Sequence, residues 1–550
     1  MLTTVYLPNL RREPDASDEA FLSACQKKLG IRAEDVHRFR IVRQSLDARK
    51  KQDIFFLTHV ELTVDEATAR RILKNPKLQA ERVQKSTLPE PIFGTRQAAG
   101  RIVVVGLGPG GLFAAWQLAK YGYRPLIIER GKPISERVLD VETYWTTGRL
   151  HTASNVAFGE GGAGTFSDGK LTTRIKDDRI DGVLKQLIAC GAPEEIAYLA
   201  KPHIGTDRLR TVVQTMREEI CRLGGEVRFE TTLTDLVMRD GELTAVEIEH
   251  CGRTERVECS ALVLAIGQAA RDTYRMLFDR GVAMAPKAFA VGVRAEHPQI
   301  MVNQSQYGSF WDHPRLGAAE YRLTAKSGTR GVYTFCMCPG GKVVASASGE
   351  GQIVVNGMSD YARDGENANA AVVVQVTPED FGTHPLDGLR FQEELERKAY
   401  LLGGGDGVAP ACTVGDYLQD RPTQRFGSVH PSYRPGVRGV LLKECLPDFV
   451  AAGVRDGLRD FGRKLKGYDR DDAVLTAVES RTSAPLRILR NEEMQSLSVR
   501  ALYPVGEGCG YAGGIVSAAV DGWKAAEAVM RQYRPNTETC QELDQNATRM

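Results

Sequence analysis

Nowhere in the sequence do about eighteen apolar residues follow one another without interruption, the length a membrane-spanning helix needs. A bilayer span is therefore not expected. The first fifteen residues, MLTTVYLPNLRREPD, lack the apolar core of a secretory signal, so a soluble cytoplasmic protein is expected. Neither sign of charge is in excess. Lys plus Arg at 72 against Asp plus Glu at 70 leave a formal net charge of +2, which gives no global reason to expect nucleic acid or an anionic membrane as partner. The 11 cysteines are scattered singly apart from Cys336 and Cys338. With no CxxC pair and no zinc spacing, structural disulfides and a metal centre are not expected, as suits a reducing compartment. No internal repeat is visible.

What is present is length enough for several modules: 550 residues correspond to about three to four domains, each able to bury a core. Residues 1–95 form the first. LTTVYLP reads as a strand, SDEAFLSACQKKLG as a helix with Ser17 as N-cap, HRFRIVRQS and DIFFLTHVELTV as strands, and VDEATARRILKNP as a second helix. The order βαββα predicts a small ferredoxin-like α+β sandwich, closed by the linker QKSTLPEPIFGTRQAAG. Residues 38–51 carry Arg38, Arg40, Arg43, Arg49, Lys50 and Lys51. That basic cluster reads either as a charged edge that discourages strand pairing or as a docking surface for nucleic acid.

Residues 101–129, RIVVVGLGPGGLFAAWQLAKYGYRPLIIE, combine an apolar strand, a glycine turn, a helix and a second apolar strand ending on an acid. This is a dinucleotide-binding βαβ unit. Gly106 permits the turn, Gly108 lets backbone approach a pyrophosphate, and Gly111 lets helix and strand pack, while the helix N-terminus supplies N–H donors. Glu129 stands where a carboxylate accepts from both hydroxyls of an adenosine ribose. Pro109, Gly110 and Arg130, which flank these positions, complete the expected contact set. The rest of this domain spans 97–283 and 485–533: a Gly-rich stretch at 155–174, a helix at 206–223, then VRFETTLTDLVMRD, LTAVEIEH and ERVECSALVLAIG as strands, the last ending in a buried parallel run at Gly267. Residues 284–484 alternate strands and turns and are read as a mostly antiparallel inserted substrate domain, with surface loops near 361–370 and 401–410. Residues 534–550 read as a polar tail. The fold class is thus α/β.

A second glycine turn lies near the C-terminal end. ALYPVGEG is a strand ending at Gly506, Glu507 and Gly508, followed by Gly510, Gly513, Gly514 and a helix from Ile515. A long cofactor such as FAD needs a contact region of this kind beyond its adenosine site, and N–H groups at Gly513 to Ile515 can face the flavin pyrimidine edge. FAD is therefore the expected cofactor.

SLDARKK, FGEGGAGTFSDGKL, TFCMCPGG, VVNGMS, RTSAPLRI and GEGCGYAGGI together resemble the uncharacterised bacterial "FAD-dependent dehydrogenase" family, an NAD(P)/FAD-dependent oxidoreductase-like group. The paired glycine turns resemble the wider flavoprotein group of p-hydroxybenzoate hydroxylase and the succinate dehydrogenase flavoprotein. That resemblance implies that Glu507 contacts the ribityl or pyrophosphate region, that Gly267 ends a strand under the cofactor, that Leu233 touches adenine through its backbone, and that Gly161 to Lys170, including Gly162, Gly164 and Thr165, lines the isoalloxazine side. It implies no substrate. A second GxGxxG in βαβ context and a redox CxxxxC, both found in pyridine-nucleotide disulfide reductases, are absent, so NAD(P)H is expected to bind only transiently.

The candidate actors are few. Cys336 and Cys338 alternate along a strand and read as buried small residues or as a thiol near the flavin. Arg481 could hold an anionic substrate or pair with Glu479 or a carboxylate of the inserted domain. Lys170 and Asp168 read as a loop ion pair, and Tyr511 as stacked or packed. The leading expectation is an FAD-dependent oxidoreductase moving a hydride to or from a small organic substrate; the alternative is a flavin-dependent RNA-modifying enzyme docking through residues 38–51.

Overall fold

The computed structural model describes residues 2–83 and 88–536, so the expected polar tail lies outside the described residues from 537 onward. The N-terminal module runs β1 (Leu2–Arg12), α1 (Asp18–Leu29), β2 (Arg38–Asp47), β3 (Phe55–Asp65), α2 (Glu66–Leu73) and β4 (Glu81–Arg82). Its sheet order β2-β3-β1-β4 is that of a split βαβ sandwich. Alternate residues Val5, Leu7, Val60, Leu62 and Val64 pack on Phe21, Cys25, Ala69 and Ile72 of the two helices. Ser17 caps α1 by accepting from the Ala20 N–H at 3.1 Å. The outer edge of β2 is not free along its length: Gln44 N–H donates to the Tyr198 carbonyl at 2.7 Å and receives the Ala200 N–H on its own carbonyl at 2.8 Å. Within the basic cluster, Arg40 pairs with Glu61 and Arg49 with Asp47.

The next stretch gives β5 (Arg101–Val105), α3 (Pro109–Lys120), β6 (Leu126–Ile128), α4 (Ile134–Thr147), α5 (Arg179–Ala189), α6 (Thr206–Arg222), β7 (Glu226–Arg228), β8 (Thr231–Arg239), β9 (Glu242–His250), β10 (Arg253–Leu264) and α7 (Arg271–Asp279). After β11 (Met284–Pro286) come β12 (Phe289–Pro298), α8 (Gln299–Tyr307), β13 (Thr324–Ser327), β14 (Arg330–Cys338), β15 (Lys342–Ala345), β16 (Val355–Met358) and β17 (Asn367–Val376). Then follow α9 (Pro378–Phe381), α10 (Asp387–Gly403), β18 (Ala409–Thr413), α11 (Val414–Leu418), β19 (Val437–Gly439), α12 (Asp448–Lys464) and β20 (Val474–Glu479). The return is β21 (Leu486–Ile488), β22 (Leu502–Pro504) and α13 (Ile515–Gln532).

β10 organises the cofactor domain because its two halves have different partners. Its first half, mostly exposed, pairs antiparallel with β9; its last residues, Ala261 to Leu264, are buried and pair parallel with β5 and β22. The sheet therefore reads β7-β6-β5-β10, with β22 on the far side of β10 and a β8-β9 meander splayed from its end. The single strand expected over 227–240 is two: Glu230 takes φ +50°, and the chain leaves β7 beside β6 to start β8 in the meander.

The inserted sheet orders β13-β14-β17-β12-β20-β18-β19 and is antiparallel except for β18 with β19. β12 and β17 are its buried centre, paired from Phe289↔Val376 to Pro298↔Asn367. Residues 409–410, expected in a loop, begin a strand instead, and β17 starts at Asn367 inside the expected 361–370 loop, with the Asn369 side-chain oxygen accepting from Arg294 at 2.7 Å. The chain crosses into and out of this domain on β11 and β21, which pair with each other.

Helices α3 and α13 cross at two glycines. A Cβ on Gly522 would lie 1.9 Å from the Gly110 carbonyl, so the backbones touch, and Trp116 meets Trp523 edge to face along the same seam. The close crossing aims both helix N-termini at one place.

Candidate functional site: a cofactor cavity between two glycine turns

That place is a cavity of about 1450 Å³ running from the β5–α3 turn to the inserted sheet. Gly106, Gly108, Pro109, Gly110, Glu129, Arg130, Gly162, Gly164, Leu233, Gly267, Gly506, Glu507, Gly513, Gly514 and Ile515 line it, as do Lys170, Cys336 and Arg481. Three expected residues stand behind the wall. Gly111 serves packing, since a Cβ there would lie 1.9 Å from the Gly106 carbonyl. Thr165 is buried, its carbonyl accepting from the Thr206 hydroxyl at 2.6 Å. Cys338 is fully buried.

The glycines divide by what they face. Gly106, at φ +95°, would press a Cβ against the Ala265 carbonyl at 2.5 Å, so the chain itself requires glycine there. At Gly267, Gly506, Gly513 and Gly514 an added Cβ meets nothing within 4 Å, and at Gly108 only the Gly162 Cα at 3.8 Å. The protein leaves these positions bare toward the cavity. Both helix N-termini, at Gly108 and Gly514, lack a side-chain cap, which leaves N–H donors and the positive dipole ends for a ligand. A cradle of backbone donors at one end and a second helix end beyond it fit a long dinucleotide with an anionic middle, and the residues present therefore suit FAD.

Glu129 binds backbone on three sides. Its carboxylate accepts the N–H groups of Leu107, Gly131 and Gly159, each at 2.9 Å, and so ties the glycine turn to the Gly-rich loop. Arg137, not foreseen as a site residue, holds that loop from below. Fully buried, it donates to the carbonyls of Asn155, Glu160, Val156 and Gly162. Burial pushes its guanidinium down to about 10. A sequence signal for it exists: with Ile134, Val141, Tyr144 and Trp145 it shares one face of α4, so a charge stands on an apolar stripe.

At the far end one of the two expected pairings of Arg481 forms. Arg481 does not pair with Glu479; it makes a two-point contact with Glu396 of α10, at 3.0 and 2.9 Å. Arg271 grips the same carboxylate at 2.8 Å twice, and burial of Glu396 is outweighed by the two guanidinium groups, which hold it at about 2. Glu479 instead pairs with Arg294, fully buried and also unforeseen, at 2.9 Å. Lys170 pairs with Asp168, which Arg363 grips from the other side. Tyr511 is packed under Arg490, whose guanidinium lies 3.6 Å from the ring centroid, and its hydroxyl donates to the Ile488 carbonyl at 2.9 Å.

Glu507 accepts from the Gln268 amide at 3.0 Å, and burial pushes it up to about 7 against the pull of Lys287. Among the described residues no group of three or more His, Cys, Asp and Glu side chains is placed to hold a metal, and no helix is long and apolar enough to cross a membrane.

Comparison with known proteins agrees with the geometry. Residues 288–482 match the family model "FAD-dependent protein, C-terminal domain-like", and residues 6–63 match a domain of unknown function. An "Uncharacterized protein" of Clostridium beijerinckii is 50% identical over 512 residues, covering 92% of this chain and 95% of that one. Digeranylgeranylglycerophospholipid reductase 2 of Methanococcoides burtonii is 26% identical over 170 residues, 30% of this chain and 37% of that one. A geranylgeranyl bacteriochlorophyll reductase-like structure from Thermoplasma acidophilum aligns over 82% of this chain and 83% of that chain, with 14% identity and a TM-score of 0.35. The cofactor is FAD, and the chain belongs to one family with the Clostridium beijerinckii protein, its residues 288–482 forming a C-terminal domain of the FAD-dependent protein type.

Proposed function

We propose that this protein transfers a hydride between bound FAD and an organic substrate held against the inserted sheet. The observation that carries this reading is continuity: the cavity lined by both glycine turns extends without a break to Tyr333, Phe335 and Cys336 of β14 and to Asn356 and Thr482. When bound, FAD would supply the hydride acceptor and donor. The protein's part is to hold and orient. Backbone donors at the start of α3 would hold the pyrophosphate, Glu129 the ribose, and the start of α13 the flavin end. Glu507, with its carboxyl near neutrality, can hold or release a proton at that end. Arg481 and Lys170 are already engaged by Glu396 and Asp168, which favours a positioning role over direct capture of substrate. Lys287, Arg174 and Arg322 also line the cavity, and burial pushes the Lys287 ammonium down. A discontinuous cofactor domain with an inserted antiparallel sheet supports grouping this family with the p-hydroxybenzoate hydroxylase and succinate dehydrogenase flavoproteins.

Anaerobic titration of the purified FAD-loaded protein with NADH and then NADPH, followed by reoxidation with a panel of organic acceptors, tests the proposal. Loss of the visible flavin absorbance and its return with one acceptor class is expected. Reoxidation by every acceptor no faster than that of free reduced FAD would sink it.

A further inference from the structure

Ordinary strand alternation would turn Cys336 and Cys338 to one face and Met337 to the other, with the two sulfurs separated by the pleat. The local backbone departs from that pattern. β14 slips its register on β17 between Phe335 and Cys338, and Cys336 adopts φ +44°, a left-handed conformation unusual for a residue with a side chain. The bulge brings the pair together: the Cys338 thiol donates to the Cys336 carbonyl at 3.3 Å.

Two cations converge on this bulge. Arg294, fully buried, reaches the Cys336 carbonyl at 3.2 Å and the Cys338 sulfur at 3.9 Å. The Lys170 ammonium donates to the Met337 carbonyl between them. The two thiols differ in access, because Cys336 lines the cofactor cavity while Cys338 is fully buried behind it. The neighbouring Cys338 thiol, outweighing burial and helped by Arg294 and Lys170, favours the thiolate at Cys336, and Cys338 keeps its proton. Cys259, Cys445 and Cys509 provide the contrast: burial pushes each up to about 12, as expected of inert core thiols.

We propose that Cys336 and Cys338 form a thiol–disulfide exchange site opening on the cofactor cavity, with low-molecular-weight disulfides as its substrates. The Cys336 thiolate attacks one sulfur of R–S–S–R, forming a Cys336–S–R bond as the disulfide breaks and one thiolate leaves. Cys338 then gives up its proton and attacks the Cys336 sulfur, releasing the second thiolate. Two cysteine thiols are oxidised to one disulfide, the small disulfide is reduced to two thiols, and the protons of Cys336 and Cys338 end on the products. The cavity-lining attacker and the buried resolver follow from the bulge. The site is distinct from the proposed hydride transfer and requires no turnover of the flavin.

The test uses the full-length FAD-loaded protein, reduced, desalted and exposed to oxidised glutathione at about pH 6, where an ordinary thiol near pKa 8.5 reacts slowly. Acid quenching, alkylation and peptide mass spectrometry then read each cysteine. The peptide holding both residues should lose two hydrogens and take no alkyl group. With Cys338→Ser it should carry one glutathionyl group on Cys336, and with Cys336→Ser residue 338 should stay unmodified. The wild-type measurement decides alone if a variant does not fold. Alkylation of Cys336 and Cys338 in the wild type while the exposed Cys221 and Cys251 become glutathionylated would overturn the proposal.

Discussion

At the scale of single residues, the glycines separate into those the chain needs and those a ligand needs. Gly108 sits at φ −76°, and a Cβ there would meet only the Gly162 Cα at an ordinary 3.8 Å, so nothing in the protein forbids a side chain there. Gly108→Val should fold with stability within about 0.5 kcal/mol of the FAD-free wild type, yet purify colourless because the side chain occupies the pyrophosphate's approach. Absorbance and denaturant unfolding check the two halves, and stoichiometric FAD in the variant contradicts the placement. Arg137 is the opposite case. Removing a buried guanidinium that satisfies four carbonyls should cost on the order of 3 kcal/mol or more in Arg137→Ala, read as a lower unfolding midpoint. Faster proteolysis within 155–162 should accompany it.

Among elements, the decisive pair is α3 and α13. Their N-termini share one cavity only because Gly110 and Gly522 let the backbones touch. Gly522→Ala should therefore force the helices apart, costing about 1–3 kcal/mol of overpacking strain, and should also weaken FAD binding although residue 522 lies two turns inside α13 and outside the cavity wall. Isothermal titration with FAD beside a denaturation curve measures both; a stability loss with unchanged affinity would uncouple the crossing from the site. The same scale accounts for β10, whose change from exposed alternation to a buried run marks where the meander ends and the parallel core begins.

For the whole molecule, the cavity's burial of Glu507 makes stability depend on pH. Its folded value of about 7 stands above the ordinary 4.5, so the folded state favours the protonated form. That contribution is fully present below pH 4.5 and is lost as pH rises through about 7. Glu507→Gln cannot ionise, so relative to wild type it should gain on the order of 2 kcal/mol across this window and then level off, water in the cavity screening part of the full effect. Unfolding of the FAD-free proteins at a series of pH values measures the difference; a difference flat with pH refutes it.

Local sequence was enough for every feature that one segment creates alone. The glycine spacing after an apolar strand, the acid ending the next strand, the second glycine turn before α13 and the βαββα order of the first module are all local patterns of period and turn chemistry, and so the cofactor class could be read from them. What depended on chain meeting chain could not. Glu479 and Arg481 are two residues apart yet serve Arg294 and Glu396, because β20 ends between them and turns their side chains to different neighbours. Cys336 and Cys338 read as separated until a slip against β17 joined them. Sequence by itself determined a dinucleotide fold built around FAD, since helix ends and glycine turns carry their ligand preference in the local backbone. Tertiary structure alone decided which charges neutralise one another and which thiol faces the cavity, since burial and partner distance are set by packing between distant segments.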